Sequence, residues 1–252
     1  MSDSRDREEE SASASDIDAV RILYEEGPCL AVFKPGGLLT QAPPGIDSLE
    51  LQVARILRDR EGTKGGLYLA AAHRIDRPAS GVVLMGRHRR AVRRLGEQFA
   101  GRMVEKEYWA ILEGNLAAPS GRWRDWVAKR PNEAHVDVLS QREPWAKRAE
   151  ATYRTLSVTD RFTWVAIDLE TGRTHQIRVQ AASRGAPVLG DHQYGASGSF
   201  GPEVSDARQR WIALHARRLV FRHPTTRKSV EVVAPLPSPW QRFDPARDGA
   251  VK

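Results

Sequence analysis

The stretch AAHRIDRPASGVVLMGR, residues 71–87, places an aspartate between two arginines and continues directly into an apolar run. The run GVVLMG is rich in β-branched residues and bounded by glycines, which predicts a short buried strand. Asp76 therefore lies at the edge of a core strand, between Arg74 and Arg77. Nearby positive charge favours the ionised form of a carboxylic acid. This pattern predicts either a structural ion pair or a carboxylate held ready for chemistry.

The segments on both sides of this strand predict a mixed architecture. Strands are expected within 20–41, in 103–114, 149–158 and 161–170, and in a hairpin over 214–235. Helices are expected over 47–62, with Asp47 and Glu50 as a capping box, over 87–101, ending at Gly101, and from an N-cap at Thr174 to Gly185. Antiparallel strands with interspersed helices place the chain in the α+β class.

Residues 115–148 have a poor pattern and are rich in arginine and tryptophan. We interpret this segment as an elaborated surface insertion. Trp123 and Trp126 lie among arginines, so they are candidates either for stacking on bases or for filling a local core.

The charge distribution of the chain is uneven. The whole chain of 252 residues carries +7, the first 18 residues carry −5, and the remainder therefore carries +12. A serine-rich acidic segment cannot bury enough apolar surface to order itself. We predict a disordered tail over 1–18, one catalytic domain over 19–240 and a flexible tail over 241–252. A strongly basic body attracts polyanions, and nucleic acid above all.

Several classes of function are disfavoured by what the sequence lacks. Its single cysteine, Cys29, excludes an internal disulfide framework and is typical of a cytoplasmic protein. No apolar run approaches the ~20 residues that a membrane helix needs. His73, His175, His192 and His215 lack the close pairing of zinc ligands. Neither a P-loop, a dinucleotide-binding glycine motif nor a serine-hydrolase elbow is present. What remains is a cofactor-free reaction that uses a carboxylate, a tyrosine and arginines.

Five stretches carry a resemblance to a known family. LAVFKPGGLLTQ, HRIDRPASGVVLMGR, EKEYWAIL, ETGRTHQIRVQAASRGAPVLGDHQYG and LHARRLVFRHP match, in order and spacing, the motifs of the RluA-type pseudouridine synthases. The match covers roughly residues 20 to 236. The resemblance implies a pseudouridine synthase-like fold, with a bent, mostly antiparallel mixed sheet, flanking helices and a central basic cleft.

The resemblance also implies the activity and its catalytic residues. Such enzymes isomerise a uridine within structured RNA, ribosomal or transfer, to pseudouridine, without metal or cofactor. Asp76 is implied as the essential carboxylate, acting on the ribose either as a nucleophile at C1′ or as a base at C2′. Arg178 is implied as its salt-bridge partner, and Tyr108 as the tyrosine that stacks on the uracil and serves in proton transfer at C5.

Further residues are expected to handle the RNA. Arg74 is implied to enter the helix stack where the extruded base was, with a second salt bridge to Asp76 as the alternative. Lys34, Arg173, His175 and the arginines of 89–94 are weaker candidates for phosphate contacts. We expect a monomer. The alternatives are an inactive RNA-binding or ribosome-assembly protein of the same fold, and a hydrolase of nucleosides or small glycosides, which would usually employ two carboxylates.

Overall fold

A computed structural model describes residues 18–62 and 65–243. The predicted tails, 1–18 and 241–252, lie outside the described residues except for Asp18 and 241–243. Asp18 accepts a hydrogen bond of 2.8 Å from the backbone N–H of Ser238. The ring of Phe243 packs edge-on against Phe162, with 5.6 Å between the ring centroids.

The described residues form eleven strands, three α-helices and three 3₁₀ segments. The strands are β1 (Arg21–Glu26), β2 (Cys29–Lys34), β3 (Ala70–Ala71), β4 (Ser80–Gly86), β5 (Glu105–Glu113), β6 (Ser120–Lys129), β7 (Val136–Leu139), β8 (Lys147–Val158), β9 (Phe162–Leu169), β10 (Leu214–Arg222) and β11 (Ser229–Val233). The helices are α1 (Leu49–Glu61), α2 (Arg89–Ala100) and α3 (Gln176–Ala182), and the 3₁₀ segments are His192–Tyr194, Ala207–Gln209 and Ser238–Phe243.

All eleven strands belong to one mixed sheet, in the order β1-β2-β4-β10-β5-β9-β8-β6-β7, with β3 beside β4 and β11 beside β10. Among the described strands only β4 and β10 pair in parallel, and the other pairs are antiparallel. Register shifts in β1, β8 and β10 mark the bulges at which these strands bend. The predicted α+β class and the mostly antiparallel mixed sheet are confirmed.

The parallel pair at the centre of the sheet explains the glycine of the opening stretch. His215 and Ala216 of β10 lie opposite Ser80 and Gly81 of β4. Gly81 has a φ of +126°, and a Cβ there would lie 2.4 Å from the carbonyl oxygen of Ala216. Only glycine permits this approach. The hydroxyl of Ser80 is 2.8 Å from Nδ1 of His215, which ties the two strands together at the same level.

Two large apolar cores lie side by side along the sheet. One lies under β1, β2 and β4 with α1 and α2, and the other lies around β5, β9 and β10 with α3 and Trp240. Ile75 belongs to the first core and Ala79 to the second, while Tyr108 packs against both. The loop that carries Asp76 therefore crosses the boundary between the two cores.

Two predicted helix caps are wrong. Ser48, not Asp47, caps α1, because the Ser48 side chain accepts a hydrogen bond of 3.3 Å from the backbone N–H of Leu51. Glu50 instead accepts from the backbone N–H of Ala71, at 2.7 Å, and so holds β3. The N-cap of α3 is His175, not Thr174. The end of α2 at Gly101 is confirmed.

The interpretation of 115–148 as an elaborated surface insertion is also wrong in part. The segment contains β6 and β7, which extend the sheet beyond β8. Trp123 and Val127 of β6 are 2% and 3% exposed. Trp123 therefore fills a core, as one of the two alternatives predicted. Trp126 is half-buried, and the guanidinium of Arg142 lies 5.4 Å from its ring centroid.

Within the part of the chain that the structure describes, no helix has both the length and the hydrophobicity needed to cross a membrane.

Candidate active site

A cleft of about 100 Å³ opens between β5, the loop that precedes β4, and the first turn of α3. Six of the seven predicted site residues line it: Arg74, Asp76, Tyr108, Arg173, His175 and Arg178. The tertiary structure therefore brings together residues that are about a hundred positions apart in the chain.

The loop before β4 brings three consecutive residues, Arg74, Ile75 and Asp76, to the cleft. Ile75 is 7% exposed and also belongs to the first core. Arg74 is exposed, and no ion pair links it to Asp76. Arg77 is held elsewhere, since its Nε donates to the carbonyl oxygen of Gly37 at 2.9 Å. The flanking arginines are therefore not the partners of Asp76.

The partner of Asp76 is Arg178, whose Nη1 lies 3.4 Å from Oδ2 of Asp76. The side chain of Arg178 is 4% exposed, whereas that of Asp76 is 26% exposed and remains accessible from the cleft. Arg178 also forms a two-pronged ion pair with Asp191, with Nε at 2.6 Å from Oδ2 and Nη2 at 2.8 Å from Oδ1. Burial alone would lower the pKa of Arg178, but the hydrogen bonds and charges of Asp191 and Asp76 raise it.

The 3₁₀ turn at 192–194 completes the support around Arg178. The side-chain oxygen of Gln193 accepts a hydrogen bond of 2.8 Å from Nη2 of Arg178, and its amide nitrogen donates to the carbonyl of Ala134. The ring of Tyr194 lies 4.9 Å from the guanidinium carbon, and its hydroxyl accepts from the backbone N–H of Val136 at 3.0 Å. The connection between β6 and β7 is therefore tied to the arginine that holds Asp76.

Tyr108 lies on β5, opposite Ala216 of β10 and Ile167 of β9. It is half-buried and lines the cleft with Asp76. Burial, with a smaller contribution from the Asp76 carboxylate, raises the pKa of Tyr108. The side chain is therefore a neutral phenol near pH 7, able to donate a hydrogen bond.

His175 and Arg173 line the cleft from the turn before α3. His175 has a φ of +51°, and its Nδ1 lies 2.9 Å from the hydroxyl of Tyr194. Burial lowers the pKa of His175. The Nε of Arg173 donates to the carbonyl of Arg148 at 3.0 Å. The side-chain oxygen of Gln176 accepts from the backbone N–H of Arg173, at 3.0 Å, and so fixes this turn.

Lys34 does not join the cleft, and its predicted phosphate contact is wrong. The residue is fully buried, and its ammonium donates to the carbonyl oxygens of Pro35, Leu38 and Arg77, at 2.8, 2.7 and 3.1 Å. Burial lowers the pKa of Lys34 to about 7. The lysine joins the glycine turn after β2 to the loop that carries Asp76, so its role is to position that loop.

The histidines do not form a metal site in the described part of the chain, which contains no group of three candidate ligands. His73 and His215 are structural: burial lowers the pKa of each to about 3. Nε2 of His73 accepts from the backbone N–H of Leu84 at 3.0 Å, and its ring stacks on Phe99.

Three residues that support the site had no predicted role: Asp191, Gln193 and Tyr194. All three lie in the stretch GDHQYG, which belongs to one of the five matching motifs, although the sequence assigned these residues no function. The signal was the unbroken polar run between Gly190 and Gly195 in a region of otherwise buried residues. Such a run is typical of side chains that support a buried charge.

Comparison with known proteins gives a consistent result. The sequence model of the family described as RNA pseudouridylate synthase matches residues 29–183. The tRNA pseudouridine synthase C of Haemophilus ducreyi is 32% identical over 232 residues, which cover 87% of this chain and 92% of that protein. The ribosomal large subunit pseudouridine synthase C of Vibrio cholerae is 32% identical over 215 residues, 85% of this chain. The chain spans 65% of the length of that ribosomal relative.

Solved structures show the same fold. Human RNA pseudouridylate synthase domain containing 4 superimposes with a TM-score of 0.69 at 24% identity, over 86% of this chain and 88% of that one. Human RNA pseudouridylate synthase domain containing 1 gives a TM-score of 0.65 at 26% identity, over 90% of this chain and 86% of that one.

Proposed function

Because this chain belongs to the RNA pseudouridylate synthase family, we propose that it isomerises specific uridines in structured RNA to pseudouridine. The observation that carries the proposal is the position of Asp76, which is accessible from the cleft and has a buried arginine as its partner. The reaction breaks the bond between N1 and C1′, turns the uracil, and forms a bond between C5 and C1′. The proton on C5 is lost and N1 gains one, so that product and substrate have the same composition.

Asp76 is the residue that acts on the ribose. Its carboxylate either attacks C1′ or removes the proton at C2′, and both routes require an oxygen that faces the sugar. Arg178 reaches Asp76 with one nitrogen from the buried side, which leaves the cleft side of the carboxylate open for the substrate. Arg178 is itself held by Asp191, so it fixes the rotamer of Asp76.

Tyr108 provides the surface for the base. Its ring lies in the cleft at the boundary of the two cores, where a uracil can stack on it. A stacked base gains about 1–3 kcal/mol. Its neutral hydroxyl can both donate and accept a hydrogen bond. It can therefore exchange a proton with C5 of the uracil.

Arg74 handles the RNA around the extruded nucleotide. Extrusion of a base from a helix costs a few kcal/mol in lost stacking and pairing. Arg74 is exposed at the cleft and forms no ion pair with the described residues, so its side chain is available to enter the stack in place of the uridine. Arg173 and His175 line the same cleft, and we propose that they contact the RNA backbone.

The relatives' names divide between two kinds of RNA, the large ribosomal subunit and tRNA. We propose a target uridine in one of these two RNAs. An isomerisation neither consumes nor reduces a second molecule, so we propose that the reaction needs no metal and no nucleotide cofactor. We also propose that the enzyme is a monomer and acts in the cytoplasm.

The two alternatives fit the cleft less well. Among the residues that line the cleft, Asp76 is the only carboxylate, whereas a glycoside hydrolase usually places two around the bond that it breaks. A protein that only binds RNA gains nothing from an accessible carboxylate that would repel phosphates.

Pseudouridine mapping of total RNA from cells with and without this gene product tests the proposal. We expect one or a few sites in ribosomal RNA or tRNA to lose pseudouridine when the gene is deleted. The purified protein is then expected to restore those sites in unmodified transcripts. Identical maps, together with no product from the purified protein, would refute the proposal.

A further inference from the structure

Lys106 lies beside the cleft and has no part in the site described so far. It lies two positions before Tyr108 on β5, so both side chains are on the same face of the strand, about 6.6 Å apart along it. A Cβ atom at Gly172 would lie 3.8 Å from Nζ of Lys106, and Gly172 lines the cleft with Asp76. The ammonium therefore lies next to a residue that lines the cleft.

The ammonium of Lys106 lacks an acceptor. Over residues 18–62 and 65–243 it forms neither a hydrogen bond nor an ion pair, although the side chain is half-buried. Burial, with a smaller contribution from the positive charge of Arg102, lowers the pKa of Lys106. Lys34, in contrast, satisfies its ammonium with three carbonyl oxygens.

Within the described residues, Nζ of Lys106 is not one of the fully buried polar atoms without a partner, so it is open to solvent. A negatively charged ligand can therefore pair with it. Arg102 and Lys106 lie close enough to repel each other, and Arg74 and Arg173 line the same cleft. Several cations therefore lie in or near the cleft, and within the described residues no carboxylate pairs with Lys106.

We propose that Lys106 binds a backbone phosphate of the RNA next to the target uridine. The inference rests on the proposed function, which places the ribose at Asp76 and the uracil on Tyr108. A phosphate is attached to each side of that ribose. Lys106 lies two positions from Tyr108 along β5, so its side chain can reach one of these phosphates. Lysine binds phosphate as a point charge, without demanding a particular geometry.

The test compares Lys106→Met with Lys228→Met, which removes the same charge elsewhere. Lys228 is exposed in the turn between β10 and β11 and does not line the cleft. Binding is measured to unmodified transcripts of tRNA and of large-subunit ribosomal RNA fragments, from about 0.1 to 1 M salt. Loss of one phosphate contact lowers the slope of log K against log salt by about 0.9.

We expect the lower slope for Lys106→Met and not for Lys228→Met. If wild type and Lys106→Met have equal affinities at 1 M salt, this change in slope corresponds to about an eightfold loss of affinity at 0.1 M salt. The Michaelis constant is expected to rise with kcat little changed, because a phosphate contact binds substrate and transition state alike. Lys106→Arg is expected to retain the wild-type slope. The melting temperature of Lys106→Met is expected to stay equal or to rise, since the substitution removes an unpaired charge.

An unchanged slope for Lys106→Met, or equal losses in Lys106→Met and Lys228→Met, would overturn the assignment. Should Lys106→Met not fold, Lys106→Gln in the same binding assay gives the same decision. Formation of pseudouridine by the wild-type protein is measured separately. Its absence on every transcript refutes the proposed function, whereas the salt slope addresses Lys106 only.

Discussion

Arg178 holds Asp191 more tightly than it holds Asp76. Its hydrogen bonds to Asp191 are 2.6 and 2.8 Å long, and its single contact with Asp76 is 3.4 Å. Asp191 is 2% exposed, so the Arg178–Asp191 pair is a buried structural unit. Asp76 is attached to the outer edge of this unit. The arginine is thereby held in place before substrate arrives, while Asp76 keeps an open side.

Asp76→Asn is expected to bind RNA as the wild type does and to form no pseudouridine. The amide keeps the size of the side chain but can neither attack C1′ nor accept the C2′ proton. Binding is measured by filter retention, and product by nucleoside analysis of the digested transcript. Asp59→Asn, an exposed change in α1, is the control and is expected to be fully active. Appreciable product from Asp76→Asn would contradict the assignment.

Tyr108→Phe is expected to retain RNA binding and to lose about 10²–10⁴-fold in rate, the usual range for an acid or base in proton transfer. The ring that stacks on the uracil remains, and only the hydroxyl is removed. Tyr108→Leu is expected to weaken binding as well. Tyr153→Phe is the control, because the Tyr153 hydroxyl only donates to the carbonyl of Ala118 on the surface. If Tyr108→Phe keeps the wild-type single-turnover rate, the hydroxyl takes no part in proton transfer and only the ring contributes to catalysis.

Asp191→Asn is expected to lower both stability and activity. The substitution leaves the guanidinium of Arg178 buried without its main counter-charge, and breaking a buried pair costs about 3–5 kcal/mol. Arg178→Ala is expected to cost a similar amount, because it leaves Asp191 unpaired. Urea unfolding measures the stability, and kcat/KM at a temperature where the variants are folded measures the activity.

The matched control for this pair is Glu97→Gln. Glu97 pairs with Arg93 on the exposed face of α2, with both side chains more than half exposed. Exposed pairs contribute at most about 1 kcal/mol. Equal, small effects of Asp191→Asn and Glu97→Gln would show that the buried pair does not support the site.

Lys34→Met is expected to destabilise the protein by about 1–3 kcal/mol, because the carbonyl oxygens that accept from the ammonium are left without a donor. It is also expected to change how stability depends on pH. In the native state the pKa of Lys34 is about 7, against its ordinary value of 10.5 in the unfolded chain. Between these values the unfolded state binds more protons, so wild-type stability rises with pH, by at most about 1.4 kcal/mol per pH unit.

Urea midpoints of the wild type and Lys34→Met at pH 7, 8 and 9 check this expectation. The difference in unfolding free energy between the two proteins is expected to widen as the pH rises. Parallel curves would show that Lys34 stays protonated in the native state over this range.

Much of the fold was predictable from local sequence. The apolar run in GVVLMG predicts β4, the amphipathic pattern of 87–101 predicts α2 with its end at Gly101, and the turn signals of 214–235 predict the β10–β11 hairpin. These elements follow from side-chain periodicity and turn chemistry, which neighbouring residues determine. The motifs likewise identified six residues that line one cleft.

Only the tertiary structure decided which charges pair and which are buried. Arg178 meets Asp76 across 102 positions and Asp191 across 13, whereas Arg74 and Arg77, the sequence neighbours of Asp76, form no ion pair with it. Lys34 proved to be buried and β6 and β7 proved to belong to the sheet, because burial depends on what packs against a residue from elsewhere in the chain. Local pattern sets the direction in which a side chain leaves the backbone. The partner that compensates its charge is brought by strands and helices from other parts of the sequence.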